Sequence, residues 1–155
     1  MKILVTGHLG FIGSHLYEAL KKYEGYEVWG VDLKDKDNPM NDIRSLVPGD
    51  LMQTHIVFHL AAQPKVQNSI DDPLFTNDHN TTGTLNLLWC AKEAGVKRFI
   101  YSASSSAYGN QDILPLKEDM KPNPMSPYAL QKLAGEYYCK LFSDLYRLET
   151  TSLRY

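Results

Sequence analysis

The stretch "KILVTGHLGFIGSHLYEALKK", Lys2 to Lys22, decides how the rest of the chain is read. Its first five residues form a β-rich apolar run that stops before Gly7. Phe11, Ile12, Leu16, Ala19 and Leu20 then recur near the helical period, so the segment predicts strand, turn and helix. Gly7, Gly10 and Gly13 fill the turn with the spacing G-x-x-G-x-x-G. Glycine permits the tight turn and lets the backbone come close to a pyrophosphate. The helix that follows offers free N–H groups and a partial positive charge to that anion. Three glycines alone are ordinary turn chemistry. Their place, after the first strand and before an apolar-faced helix, points to dinucleotide binding.

Asp32 adds to this reading. It ends the next strand pattern, "YEVWGVD", nineteen residues after Gly13. A carboxylate there can accept both ribose hydroxyls of adenosine. The plainer reading is that Asp32 caps a turn. A carboxylate would also repel a 2′-phosphate, which favours NAD over NADP. Lys34 and Lys36 work against that preference, since a flexible lysine can reach a phosphate.

Working outward, strand and helix signals alternate along the whole chain. "HIVFHLA" ends near Ala61, "VKRFIYSA" is a fourth strand and "ETTSLRY" a fifth. Residues from about Pro73 to Ala94 read as one long helix, with Leu85, Leu88 and Ala91 marking its face. Pro127 to about Tyr146 is helical again, and "DLKDKDNPMND" is a solvated loop. Apolar strands alternating with helices predict an α/β fold, a doubly wound parallel sheet with helices on both faces. Such sheets take ligands outside the carboxyl ends of their strands. The expected organisation is a single dinucleotide-binding domain over residues 1–155.

Bulk properties narrow the class. The 155 residues carry a net charge of −2, with 43% hydrophobic and 22% charged residues. No basic footprint for nucleic acid is present, and no apolar run approaches the length that spans a bilayer. Cys90 and Cys139 have neither metal nor redox spacing, and "MKILVTG" is too short an apolar start for a signal peptide. They read as reduced thiols of a cytoplasmic protein. His55, His59 and His79 are scattered and read as structural histidines rather than a metal set. Tyr137 and Tyr138 read as core or interface packing.

"SPYALQKLAGEYY", Ser126 to Tyr138, holds Tyr128 and Lys132 one helical turn apart. Such a pair is usually nothing more than a helix surface. "FIYSASSSAYG" puts Ser102, Ser104, Ser105 and Ser106 at a strand's C-terminal end, where a serine-rich turn is common. Beside a dinucleotide site the combination becomes chemical. Lys132 close to Tyr128 favours the phenolate, and a phenolate can take the proton of a substrate alcohol. A serine hydroxyl can hydrogen-bond the developing carbonyl oxygen.

With these residues assembled, the chain resembles the extended short-chain dehydrogenase/reductase family, and within it the NAD-dependent nucleotide-sugar epimerases and dehydratases such as UDP-glucose/galactose 4-epimerases. The carrying stretches are "TGHLGFIGSH", "VDL", "DIRS", "VFHLAAQ", "NTTGTLNLL", "SSSAYG" and "SPYALQKLAGE", in family order. The resemblance implies a Rossmann-like domain and NAD as cofactor. It implies that Gly7, Gly10 and Gly13 hold the pyrophosphate beside the Phe11 and Ile12 backbone, and that Asp32 holds the adenosine ribose. Asp42 and Ile43 would lie along the adenine. Leu60, Ala61, Ala62 and Gln63 would pass under the ribose and phosphates, with Ser102 also at the cofactor. Asn80 matches a family asparagine, either at the cofactor or tying helix to strand. Ser104, Tyr128 and Lys132 match the catalytic serine or threonine, tyrosine and lysine, the last two also holding the cofactor.

The implied reaction is transient oxidation of a sugar hydroxyl, at C4, with hydride return to the other face. Dehydratases of the family carry an acidic pair after the catalytic threonine, where this chain has Ser105 and Ser106. Elimination therefore loses support, and so does decarboxylation. A dehydratase or reductase, or a binding module without turnover, stays the alternative. His8 stands where glycine is frequent, with its side chain expected to face solvent. Family members continue past "LRY" into a smaller substrate-binding domain. The expectation is therefore a truncated chain, favoured over a natural short form, lacking most of the nucleotide-sugar site, with some apolar surface exposed at the sheet's end. The implied partners are a nucleotide-sugar substrate and a second copy, in a homodimer through the long helices.

Overall fold

The computed structural model describes residues 1–155. Five parallel strands form one sheet: β1 (Lys2–Thr6), β2 (Glu27–Val31), β3 (Thr54–His59), β4 (Arg98–Ser102) and β5 (Glu149–Leu153). Their order is β2-β1-β3-β4-β5. The helices are α1 (Phe11–Lys21), α2 (Val66–Asp71), α3 (Pro73–Asn77), α4 (Gly83–Glu93) and α5 (Pro127–Tyr146). All five expected strands are present, and the alternation is the expected one.

The chain leaves β1 toward β2 on one side, whereas β3, β4 and β5 build out on the other. Right-handed crossovers then place α1 on one face and α4 and α5 on the opposite face. A core of 17 buried residues lies between the sheet and that second face. Leu4, Val57, Phe99 and Tyr101 of the strands meet Leu87, Leu88 and Ala91 of α4 and Cys139 and Phe142 of α5. Each fully buried aliphatic or aromatic side chain contributes about 1.5–3 kcal/mol. The alternate strand positions Ile56, Phe58 and Ile100 point to the other face and are only half-buried. Leu153, on the edge strand β5, lies on the same face and is 40% exposed.

The structure departs from the sequence reading at four places. The single helix expected over Pro73 to Ala94 is α3, a π-helical turn at Asp78–Thr82, and α4. The wider turn shifts the buried stripe to Thr84, Leu87, Leu88 and Ala91, leaving Leu85 only partly buried. Phe11 and Ile12 do not join the core. They are 84% and 49% exposed, because the first turn of α1 opens onto a cleft. His8 does not face solvent: its ring lies buried against Gly30. Helix α2 has no apolar periodicity to announce it, since "VQNSID" is exposed except for Ser69.

Candidate active site

A cleft of about 650 Å³ opens at the carboxyl ends of the strands, where the strand order reverses. In an open α/β sheet this reversal leaves a crevice between diverging loops. One wall is the glycine loop with Phe11 and Ile12; the opposite wall is Leu60 to Gln63. Asp32, Asp42 and Ile43 close one end, and Ser102, Ser104, Tyr128 and Lys132 close the other. Every candidate site residue named from the sequence lines this cleft except Asn80.

The glycines are required by close approach. Gly7 has φ +73°, and a β-carbon on it would come within 2.8 Å of the Ala61 nitrogen. A β-carbon on Gly13 would lie 2.0 Å from the Gly7 carbonyl oxygen. Gly10 N–H donates to that same carbonyl at 3.0 Å and begins α1. The helix has no side-chain cap and no acidic residue in its first turn. Its N-terminal partial charge therefore faces the cleft unneutralised, a cradle suited to a pyrophosphate.

At the β2 end of the cleft, Asp32 is aimed by the backbone. Its Oδ2 accepts from Leu9 N–H at 3.0 Å and its Oδ1 from Lys34 N–H at 2.9 Å. No cation pairs with it, although the Lys34 side chain lines the same wall. Asp42 differs, because Arg44 Nε and Nη2 clamp its carboxylate at 3.0 and 2.5 Å. That guanidinium holds the Asp42 carboxyl below its usual range. Asn86 Nδ2 donates to the carbonyls of Ile43 and Leu46, so α4 fixes this wall from behind.

The floor beneath Leu60 to Gln63 is a buried hydrogen-bonded chain. Thr84 Oγ1 donates to the Asn80 carbonyl at 2.6 Å and therefore accepts from His59 Nε2–H at 2.8 Å. His59 Nδ1 then accepts from the Thr6 hydroxyl, which in turn accepts from Ala61 N–H. Burial pushes the His59 pKa down to about 3, with a further contribution from the Lys132 charge. His59 is thus a neutral structural histidine, as read from the sequence. His79 donates Nδ1–H to the Phe75 carbonyl one turn earlier.

At the opposite end, Tyr128 and Lys132 lie in the first turns of α5. Ser126 caps the helix by accepting from Ala129 N–H, and Pro127 follows at the first position. Tyr128 N–H donates to Ser69 Oγ at 3.0 Å, a contact 59 residues back in the chain. Lys132 is almost fully buried, its Nζ 4.3 Å from the centroid of the Tyr101 ring. Burial lowers its pKa to about 7, opposed in part by Cys139 and Glu136. Ser104 Oγ accepts from Ser106 N–H at 3.2 Å and shares a hydrogen bond with Ser106 Oγ at 2.7 Å. Ser106 therefore orients Ser104.

Asn80 lies behind the cleft rather than in it. Its Oδ1 accepts from Gln63 N–H at 2.7 Å, and its Nδ2 donates to the Gln63 carbonyl and to Gln131 Oε1. Of the two readings open from the sequence, the geometry is that of the tie, since every polar atom of the side chain is committed to it. Gln131 Nε2 continues the network to Thr76 Oγ1 at 3.1 Å. Sequence reasoning missed Ser69, Thr76 and Gln131, because their partners are distant in the chain. His79, Asn41 and Tyr155 also line the cleft without a sequence signal for it.

Three comparisons with known proteins agree with this geometry. Residues 3–155 match the model of the NAD dependent epimerase/dehydratase family. A UDP-glucose 4-epimerase of Mycolicibacterium smegmatis is 36% identical, over 99% of this chain and 55% of its own length. The solved UDP-N-acetylglucosamine 4-epimerase of Methanobrevibacter ruminantium, in complex with UDP-N-acetylmuramic acid, superposes with a TM-score of 0.92 at 36% identity, covering 99% of this chain and 54% of that one. The UDP-glucuronic acid 4-epimerase of Bacillus cereus, in complex with UDP-glucuronic acid and NAD, gives a TM-score of 0.90 at 34% identity, covering 100% of this chain and 56% of that one. The chain thus spans about half the length of these relatives. A parallel sheet with this cleft, matched from end to end by the family's own pattern, means that the chain belongs to the NAD-dependent epimerase/dehydratase family.

Proposed function

We propose that this chain is the NAD-binding domain, over residues 1–155, of a nucleotide-sugar 4-epimerase. One observation carries the reading: a single cleft joins an uncapped helix N-terminus, the Asp32 carboxylate and the Ser104–Tyr128–Lys132 set. The residues fit NAD, since β-carbons at Gly7 and Gly13 would close the cradle. Gly7, Gly10 and Gly13 admit the pyrophosphate to the amides of Phe11 and Ile12. Asp32 accepts the adenosine ribose hydroxyls, and Asp42 and Ile43 flank the adenine. Leu60, Ala61, Ala62 and Gln63 form the opposite wall, with Ser102 at the reactive end. When bound, NAD supplies the acceptor and donor for a hydride.

The chain's own residues handle the proton. Tyr128, as phenolate, takes the proton of the sugar hydroxyl at the carbon that is oxidised, and returns it after the keto sugar has turned over. Lys132 in its ammonium form favours that phenolate. Ser104, held by Ser106, donates to the developing carbonyl oxygen. Serines at 105 and 106 supply no acid for eliminating water, which supports epimerisation over dehydration. The substrate is proposed to be a nucleotide sugar, as in the relatives.

The partner surface is proposed on α4 and α5. Tyr137, Leu141 and Leu145 form an exposed stripe at helical spacing along α5, and Trp89 of α4 and Tyr146 of α5 share the Lys92 ammonium between their rings. This face suits a second copy. No helix is long and apolar enough to cross a membrane, and both cysteines are buried free thiols. Those thiols fit a reducing, cytoplasmic compartment.

The deciding experiment is a fluorescence titration with NADH and NADPH. NADH is expected to bind at least about tenfold tighter than NADPH, and Asp32→Ala to narrow the ratio. Tyr128→Phe is expected to keep NADH binding and to lose nucleotide-sugar turnover in the full-length protein. No binding of either nucleotide to a chain with a cooperative unfolding curve would sink the reading. Binding without any turnover would leave a cofactor-binding module in its place.

A further inference from the structure

Consecutive residues of the glycine loop dock onto the end of β2. Gly7 N–H donates to the Val31 carbonyl at 2.7 Å, and Leu9 N–H to Asp32 Oδ2 at 3.0 Å. Between them His8 turns its ring onto Gly30. A β-carbon at Gly30 would come within 2.4 Å of His8 Cγ and Nδ1. The ring is buried, its centroid 5.1 Å from that of Tyr17, and its Nδ1 has no hydrogen-bond partner. A buried nitrogen left unpaired is unfavourable. The ring is therefore not held there by a polar contact. Its shape fills a hollow that exists because residue 30 has no side chain.

We propose that His8 is a positioning residue of the phosphate-binding loop, a side-chain peg seated on Gly30. It does not line the cleft. It acts through the loop, holding Gly7 to Gly10 so that the first-turn amides of α1 converge on a pyrophosphate. The inference rests on the dinucleotide reading and adds a residue to it. It also explains why β2 carries a glycine in its interior, where glycine weakens a strand.

The test uses two probes, NADH, which carries a pyrophosphate, and adenosine, which does not. Gly30→Ala pushes the ring aside and is expected to weaken NADH about tenfold while adenosine changes less than about twofold. Gly30→Ala with His8→Gly removes the clash and lets the alanine methyl take up part of the hollow the ring leaves, so it is expected to bind NADH within about threefold of the parent chain. His8→Gly alone leaves β2 untouched and is expected to weaken NADH by about threefold to tenfold, again sparing adenosine. Thermal unfolding shows whether each variant folds. If Gly30→Ala does not fold, a double variant that folds and binds NADH supports the interlock. A double variant as weak as Gly30→Ala, or a His8→Gly variant that loses both probes equally or neither, overturns it. A parent chain that binds neither probe overturns the dinucleotide reading, and this inference with it.

Discussion

Lys132 shows what a single residue's surroundings can do. Its ammonium is buried against the Tyr101 ring with no carboxylate in contact, and burial brings its pKa down from 10.5 to about 7. Below about pH 7 both folded and unfolded chains carry the proton, and the unfavourable burial is fully present. Between about 7 and 10.5 the unfolded chain binds more protons, so stability rises with pH. One group can contribute at most about 1.4 kcal/mol per pH unit. The useful window ends near pH 9. Above it Cys90 and Cys139, raised by burial to about 11 and about 12, begin to act in the opposite direction. Chemical denaturation at pH 7, 8 and 9 is expected to show the free chain gaining stability. Lys132→Met is expected to be more stable at pH 7 and nearly flat across the window. A parent chain that is also flat would mean that the amine reaches water.

At the scale of elements, α5 is held at its start by segments far back in the chain. Ser69 of α2 accepts from Tyr128 N–H, and Gln131 ties α5 to Asn80 and to Thr76 at the end of α3. The network fixes the cleft wall at Gln63 and helix α5 relative to each other. Gln131→Leu leaves Asn80 Nδ2 and the Thr76 hydroxyl short of a partner, an expected loss of about 1–3 kcal/mol. The same variant should speed amide hydrogen exchange at Gln63, which a purely local packing loss would not move. Unchanged exchange at Gln63 would mean that the wall stands without the tie. The π-helical turn at Asp78–Thr82 belongs to this network, because it carries Asn80 inward.

For the whole molecule, the sheet face turned away from α4 and α5 and the outer face of α4 and α5 behave differently. Ile56, Phe58 and Ile100 are half-buried within the sheet, whereas Tyr137, Leu141 and Leu145 stand out on a helix surface. Sedimentation is expected to show a dimer, and Leu141→Glu to shift it to monomer while NADH binding is retained. A parent chain that sediments as monomer at micromolar concentration would remove the proposed partner face. Loss of both dimer and NADH binding in Leu141→Glu would point to misfolding instead.

The amino-acid sequence by itself determined the strands, α1, α5, the glycine loop and the ends at which Asp32, Ser104, Tyr128 and Lys132 are placed. These are written locally. Apolar runs, helical spacing and glycines at a turn act over a few residues, and the right-handed crossover converts their order into a parallel sheet. The tertiary structure alone decided the rest. His8 is buried because Gly30 leaves a hollow 22 residues later in the chain. Helix α2 exists without apolar periodicity, and its buried Ser69 receives the Tyr128 amide. Asn80 is a tie, not a cleft residue, because Gln63 and Gln131 converge on it. Lys132 is depressed toward neutrality by burial that no neighbour in sequence reveals. Each of these depends on contacts between distant segments, and local pattern carries no record of which distant segment arrives.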